Sequence, residues 1–155
     1  MYLIRVIVGV CAVIISVKIG VDKSSKYKNE YYFWLSLIAF CDSYILEISY
    51  KKTEINNFLK YKSSSLDFDN FLNFFIKENK LLYPNYINFE EQNLINNVFN
   101  AIGKTNSQTQ IELFNGYKEN FSKILDEKHK TYQKFYSVSL KLSFICGLVL
   151  FIMVI

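Results

Sequence analysis

Two apolar segments, one at each end of the chain, limit most strongly what this 155-residue sequence can fold into. Residues 6–17 and residues 142–155 are uncharged and almost wholly apolar, whereas all 14 Asp and Glu lie between residues 21 and 134. A helix crosses roughly 30 Å of hydrocarbon with about 20 residues. The sequence therefore predicts transmembrane helices at residues 1–20 and 135–155, which flank one domain at residues 21–134.

A cleaved signal peptide is the alternative interpretation of the first segment, because Arg5 precedes a short apolar run. However, no small-x-small cleavage motif follows that run, and Lys18 lies where cleavage would occur. We therefore expect the segment to be retained. In the second segment Lys141 falls just inside the predicted boundary, from which a lysine side chain can reach the headgroups.

Lysines close to the predicted spans indicate their orientation. They are Lys18, Lys23, Lys26 and Lys28 after the first span, and Lys128, Lys130, Lys134 and Lys141 before the second. Only Arg5 lies on the far side. Because basic residues near membrane spans favour the cytoplasmic side, the sequence predicts a multi-pass membrane protein with a cytoplasmic domain.

The composition of the chain favours long helices. Only 5 Gly and 1 Pro interrupt it, which is too few for an all-β domain, and 51% hydrophobic residues are enough for a packed core. The formal charge of +4 is distributed over interspersed signs, as in Lys51, Lys52 and Glu54, so no nucleic acid partner is expected. Cys41 is the single cysteine between the apolar ends, which leaves no internal disulfide there.

Helical periodicity divides the domain into about five helices. The first, residues 28–49, is apolar nearly all round and is expected to lie centrally. A short second helix is expected from Thr53, and Ser64 with Asp67 predicts a capping box for a third, with Pro84 as the stop beyond it. Asn88 with Glu91 predicts a second capping box.

The fourth helix is expected to end at Gly103, as a left-handed terminator. Thr105 or Asn106 would then cap a last helix of about 50 residues. Gly116 is the single Gly or Pro between Asn106 and Gly147, and the helical period of apolar residues continues past it. The predicted fold class is all-α: a cytoplasmic bundle of about five helices between N- and C-terminal transmembrane helices, with the last helix continuous with the second span.

Residue patterns typical of catalysis or metal binding are missing from the sequence. His129 is the single histidine and lies among charged neighbours, and the carboxylate pairs Asp67/Asp69 and Glu90/Glu91 fall in first helical turns, where they complement the helix dipole. We expect no enzyme activity, no metal and no cofactor. The aromatic stripes leave one alternative open, a small lipid-binding protein or membrane enzyme that uses the aromatic core.

Small residues in the apolar ends could let the two spans pack together or against a partner. They are Gly9, Ser143, Cys146 and Gly147. Packing of the two spans against each other is the favoured interpretation.

Several short motifs carry a resemblance to a known family. They are Phe99, Ile102, Gly103, Asn106 and Gln110; then Leu142, Ser143, Ile145, Cys146 and Gly147; and upstream Tyr50, Thr53 and Ile55, with Lys51 and Glu54 where the family has Gly and Pro. With these motifs and two apolar ends, the chain resembles the stage III sporulation protein AB family of spore-forming bacteria.

This resemblance implies more than periodicity does. The family is similar to the all-helical cytoplasmic domain of the type II secretion F platform protein, and its members belong to the assembly that links mother cell and forespore. The implied location is the mother-cell-side (outer forespore) membrane. The implied partners are other stage III sporulation channel proteins and a secretion-type ATPase, stage III sporulation protein AA. Gly103, Asn106 and Gln110 are implied as a contact or a structural corner.

Overall fold

The computed structural model describes residues 2–51 and 63–154, and side chains for residues 5–49 and 63–153. Within these ranges the chain is all-helical, with four α-helices and no strand, which confirms the predicted fold class at this coarser level. The short helix expected from Thr53 lies outside the described residues, and so does Ile55 of the family resemblance. The side chain of Tyr50 is also outside the described ranges.

Helix α1 runs from Tyr2 to Leu46 and continues into a π-helical turn, Glu47–Lys51. The sequence treated the first span and the first helix of the domain as separate elements, but they form one helix. Gly20, at the expected boundary, does not interrupt it. A single glycine costs a helix only about 1 kcal/mol, which packing can offset.

Helix α2 is Leu66–Glu78, and the capping box expected from Ser64 and Asp67 is wrong. Ser65, not Ser64, is the N-cap, and its Oγ accepts a hydrogen bond from the Phe68 backbone N–H. The helix ends at Asn79, a left-handed residue with φ 53°, well before Pro84. Asparagine tolerates this conformation better than most residues, so it terminates the helix.

Helix α3 is Phe89–Ala101, and its predicted capping box is confirmed. The Asn88 side chain accepts a hydrogen bond from the Glu91 N–H at 2.9 Å, while the Glu91 carboxylate accepts one from the Asn88 N–H at 2.9 Å. After the helix, Gly103 has φ 71°, which only glycine adopts without strain. It provides the predicted left-handed terminator.

Helix α4 is Ser107–Val154, 48 residues without interruption, as the sequence predicted. Asn106 caps it, because its Oδ1 accepts a hydrogen bond from the Thr109 N–H at 2.8 Å. Its C-terminal part is long and apolar enough to cross a membrane. Among the described residues α4 is the one helix that meets this criterion of length and composition, so the N-terminal span is not confirmed.

The chain divides into two compact units. We call Met1–Lys28 with Lys128–Ile155 the terminal unit, and Asn29–Glu127 the lobe unit. The lobe unit thus begins eight residues after, and ends seven residues before, the domain limits expected from apolarity alone.

The lobe unit has a core built mainly of aromatic rings from all four helices. Phe33 and Trp34 of α1 are completely buried, and the Phe33 ring makes edge contacts with Phe68 and Phe71 of α2 at centroid distances of 5.6 and 5.7 Å. Other fully buried core residues are Leu37, Phe40, Ile95, Val98, Phe114 and Phe121. Edge-to-face rings add to the free energy gained from apolar burial. The central position expected for the first helix agrees with this burial.

The terminal unit is arranged in the opposite way, with apolar side chains on its outside. In α1, Ile14 is 62% exposed, and in α4 Ile152 is 74% exposed. Other exposed apolar residues of this unit include Ile7, Val8, Ile15, Ile19, Leu142, Phe144, Ile145 and Met153. Such a continuous apolar exterior is rare on a protein surface in water and typical of one in lipid.

Candidate functional site

A polar corner of the lobe unit brings together two of the three residues that the family resemblance marked, Gly103 and Gln110. The Tyr44 hydroxyl donates a hydrogen bond to Gln110 Oε1 at 2.6 Å and accepts one from the Gly103 N–H at 3.3 Å. The Gln110 side-chain amide donates to the Thr105 carbonyl at 3.0 Å. Tyr44 of α1 therefore joins the loop between α3 and α4 to the first turns of α4.

The two side chains that form the central hydrogen bond of this corner are both buried. Gln110 is 4% exposed and Tyr44 is 3% exposed. Burial raises the pKa of Tyr44 above its usual value, and the hydrogen bond from the Gly103 N–H opposes that rise only in part. Tyr44 is therefore neutral at physiological pH and can donate its proton to Gln110. Buried polar groups held in this way fix the relative position of the elements that carry them.

Asn106 has a different structural role from Gly103 and Gln110. Its side chain caps α4 and remains exposed. The structure thus places Gly103 and Gln110 around Tyr44, and Asn106 at the adjacent helix start. The sequence did not single out Tyr44, which lies 66 residues from Gln110. Its one signal was a hydroxyl-bearing ring on a helix face otherwise made of Phe33, Leu37 and Phe40.

Three of the four small residues proposed for span packing lie at the contact between α1 and α4 in the terminal unit. A Cβ added to Gly147 would be 3.0 Å from the Val13 Cα, and one added to Gly9 would be 2.5 Å from the Phe151 ring. Ser143 lies against Gly20, a residue the sequence analysis did not propose. Cys146 is exposed and lies outside this contact. Within this unit the two apolar ends pack on each other, and glycines allow their backbones to approach closely.

An exposed apolar pair at two helix starts was also missed from the sequence. Leu66, the first residue of α2, is 74% exposed, and Phe89, the first residue of α3, is 75% exposed. The Tyr86 hydroxyl donates a hydrogen bond to the Asp67 carboxylate at 2.6 Å and so ties the two helix starts together. We call Leu66 and Phe89 the apolar pair. Its sequence signal was an apolar residue directly after a capping residue and outside the helical period.

Several titratable groups of the lobe unit are buried or hydrogen-bonded. The pKa of Tyr86 is raised by burial, by its hydrogen bond to Asp67 and by the nearby carboxylates. Asp69 accepts a hydrogen bond from the Ser63 N–H, and Glu91 belongs to the capping box. Cys41 is fully buried, and burial raises its pKa to about 12. A thiol with so high a pKa is a poor nucleophile at neutral pH.

His129 contacts a polar side chain of its own helix. Its ring nitrogen lies 2.5 Å from the Gln133 side-chain amide, one turn further along the exposed surface of α4. Across the parts of the chain that the structure describes, no group of three His, Cys, Asp or Glu side chains could hold a metal ion.

No protein-family model, curated protein or solved structure matches the chain.

Proposed function

We propose that this chain is a non-enzymatic membrane platform subunit of the channel apparatus that links mother cell and forespore during endospore formation. The single observation that carries the proposal is the division into a helix pair with an apolar exterior and an all-helical lobe with a buried core. The first unit suits lipid and the second suits water. The resemblance to stage III sporulation protein AB supplies the particular apparatus.

In this proposal both ends of the chain cross the membrane and the lobe unit lies in the cytoplasm, at the outer forespore membrane. Support for a first span comes from the exposed apolar residues of α1 and from its close glycine contacts with α4. The basic residues next to both spans support the orientation. The proposal keeps the sequence-based estimate of about five helices, which includes the one expected from Thr53.

The apolar pair is the proposed docking surface for the secretion-type ATPase. Leu66 and Phe89 expose more of their side chains than any core residue, and the carboxylates of Asp69 and Glu90 lie in the same first helical turns. The lobe unit holds thirteen Asp and Glu against nine Lys, a formal charge of −4. A partner face with apolar pockets and basic residues would complement this surface.

Affinity capture of the tagged full-length chain from sporulating cells tests this proposal. We expect the secretion-type ATPase among the captured proteins, and we expect the double variant Leu66→Asn, Phe89→Asn to lose most of it. The matched control is Ile76→Asn, which changes an exposed apolar residue near the other end of α2. Capture of the ATPase at wild-type levels by the double variant would exclude the apolar pair as its docking surface.

Deletion of the gene tests the biological role separately. The proposal predicts a severe loss of heat-resistant spores, restored by the wild-type gene. Normal numbers of heat-resistant spores in the deletion strain would remove the assignment to the spore channel.

The lipid-binding or enzymatic alternative relies on the aromatic core as a pocket. In the lobe unit, however, the core rings contact one another: Phe40 stacks on Phe99 at 5.5 Å, and Phe71 meets Phe99 edge-on at 5.3 Å. Rings that fill the space between helices support packing and not a ligand site. A groove lies along α4, lined by Thr109, Glu112, Leu113, Gly116, Tyr117 and Asn120.

A further inference from the structure

Charge is divided sharply between the two units of the chain. The terminal unit holds nine Lys and Arg and a single acid, Asp22, which gives a formal charge of +8, whereas the lobe unit carries −4. The modest total of +4 conceals this division. An asymmetry of this size creates a local electrostatic potential that attracts anions to one unit only.

The positive charge of the terminal unit is concentrated in one stretch of the helix pair. The four lysines on α1 are Lys18, Lys23, Lys26 and Lys28. The four on α4 are Lys128, Lys130, Lys134 and Lys141. We call these eight residues the basic collar. Gly20 lies against Ser143, and the Tyr27 ring stacks on Phe135 at 4.2 Å, so the two sets of lysines run alongside each other.

Aromatic residues accompany the lysines in the same stretch. Besides the Tyr27–Phe135 stack, Tyr132 and Tyr136 lie at a ring distance of 5.7 Å on α4. Exposed aliphatic residues begin within this stretch, at Val21 on α1 and Val138 on α4, and continue to Ile7 and Met153. Lysines and tyrosines beside an apolar exterior are the residues found at the level of lipid headgroups.

We propose that the basic collar binds the phosphate groups of anionic phospholipids in the membrane leaflet next to the lobe. Seven of its eight lysines, all except Lys128, are exposed. A cluster of four to eight lysines next to a span attracts anionic lipid, with about a fivefold effect per lysine near the surface. This inference rests on the proposed membrane anchoring.

Continuity with the apolar exterior favours lipid over nucleic acid as the ligand. A nucleic acid would meet the phosphate requirement, but it would gain nothing from the adjoining apolar residues, such as Ile19 and Leu142. An anionic lipid satisfies both, because its headgroup meets the lysines and its acyl chains cover the apolar side chains.

The test uses the full-length protein in vesicles of phosphatidylcholine with about 30% phosphatidylglycerol, a composition that gives the surface a strong negative potential. Native mass spectrometry after detergent extraction counts the lipids retained. We expect phosphatidylglycerol to be enriched several-fold over its share of the vesicle and the enrichment to fall in 0.5 M salt, which reduces the Debye length to about 4 Å.

Two charge-matched variants separate the collar from general surface charge. The collar variant is Lys23→Gln, Lys26→Gln, Lys130→Gln, Lys134→Gln, and the control is Lys77→Gln, Lys80→Gln, Lys104→Gln, Lys123→Gln, which removes four exposed lysines of the lobe unit. We expect the collar variant to lose most of the enrichment and the control to keep it. Equal enrichment in wild type and collar variant, or an equal loss in both variants, would overturn the proposal.

Three further outcomes distinguish this inference from the anchoring on which it rests. Extraction of the wild-type chain from the vesicles by alkaline carbonate would refute the anchoring. Stable insertion without any preference for phosphatidylglycerol would refute the collar alone, as would collar-dependent binding of a single-stranded DNA probe by a chain that shows no preference for phosphatidylglycerol.

Discussion

The terminal unit and the lobe unit differ in where they place their large apolar side chains. The lobe buries large aromatic residues, such as Phe33 and Trp34, and leaves an acidic surface. The terminal unit exposes its large apolar residues and places Gly9, Gly20 and Gly147 at the contact between its helices. In water, burial of apolar area drives association, whereas in lipid close backbone approach takes its place. The proposed membrane anchoring accounts for this difference, because it places the two units in different solvents.

The largest expected effect comes from removing an aromatic ring in the lobe core. Phe33→Ala deletes a completely buried ring in contact with Phe68 and Phe71. The free energy of unfolding should fall by about 3–5 kcal/mol, since both apolar burial and packing contacts are lost. Denaturant unfolding of the full-length protein in detergent, followed by Trp34 fluorescence, measures the change.

Ile14→Ala provides the matched test in the terminal unit, because Ile14 is 62% exposed. It should change the same free energy by less than about 0.5 kcal/mol. Losses of similar size for Phe33→Ala and Ile14→Ala would show that the two units do not differ in the way described.

Removing the tyrosine hydroxyl from the polar corner should have the next largest effect. Tyr44→Phe leaves the Gln110 side chain and the Gly103 N–H without their shared partner. Because both are held in a buried corner, the cost should be about 1–3 kcal/mol. Chemical denaturation of Tyr44→Phe, Gln110→Ala and the double variant gives the coupling energy between the two side chains. Strictly additive losses would mean that the corner contributes nothing as a unit.

Enlarging a glycine at the contact between α1 and α4 should destabilise the terminal unit. Gly147→Leu forces side-chain atoms against Val13, so the thermal midpoint in detergent should fall, with a loss of about 1–3 kcal/mol. Gly116→Ala is the control on the same helix, because an added Cβ there meets nothing within 4 Å. That control should gain roughly 0.5–1 kcal/mol from helix propensity. A neutral Gly147→Leu would contradict the close packing.

Alkaline pH should weaken the lobe unit with a smaller, graded effect. Burial raises the pKa of Cys41 from 9.0 to about 12 and that of Tyr83 from 10.0 to about 12. The unfolded chain therefore releases these protons at lower pH than the folded chain does. Their contribution is complete below about pH 9 and is lost as the pH rises towards 12. For the buried Cys41 the loss is up to about 1.4 kcal/mol per pH unit, whereas solvent screening makes the loss much smaller for the partly exposed Tyr83.

Denaturant midpoints at pH 7, 9 and 10.5 measure this loss. Cys41→Ala should lower stability at every pH but reduce its slope above pH 9, since one titrating group is gone. An unchanged slope in Cys41→Ala would show that the buried thiol does not contribute to the alkaline loss.

Local signals in the sequence were sufficient for some features of this fold. The Asn88–Glu91 capping box, the left-handed Gly103 and the unbroken α4 each depend on residues close together in the chain. Capping at α2 was predicted one residue early because Ser64 and Ser65 have the same chemistry, and only their tertiary contacts differ. The Ser64 hydroxyl lies 3.5 Å from that of Ser36, which leaves Ser65 as the cap.

Contacts between residues far apart in the chain could not be predicted from helical periodicity. The Tyr44–Gln110 hydrogen bond and the Gly20–Ser143 contact depend on how helices are placed together. The division between an N-terminal span and a first lobe helix was drawn at a solvent boundary, although backbone hydrogen bonding continues through Gly20 in one helix. Polarity thus predicts an environment for each segment, but it does not give the ends of the helices.

Accessibility of one engineered cysteine tests most directly the claim that the lobe unit lies in the cytoplasm of a membrane-held protein. Cys41 cannot report on this because it is buried and poorly reactive. Asn97→Cys instead places a thiol on the exposed surface of α3. The account predicts that a membrane-impermeant maleimide modifies this thiol in inverted membrane vesicles but not in intact cells. Modification in intact cells, or recovery of the labelled chain outside the membrane fraction, would contradict it.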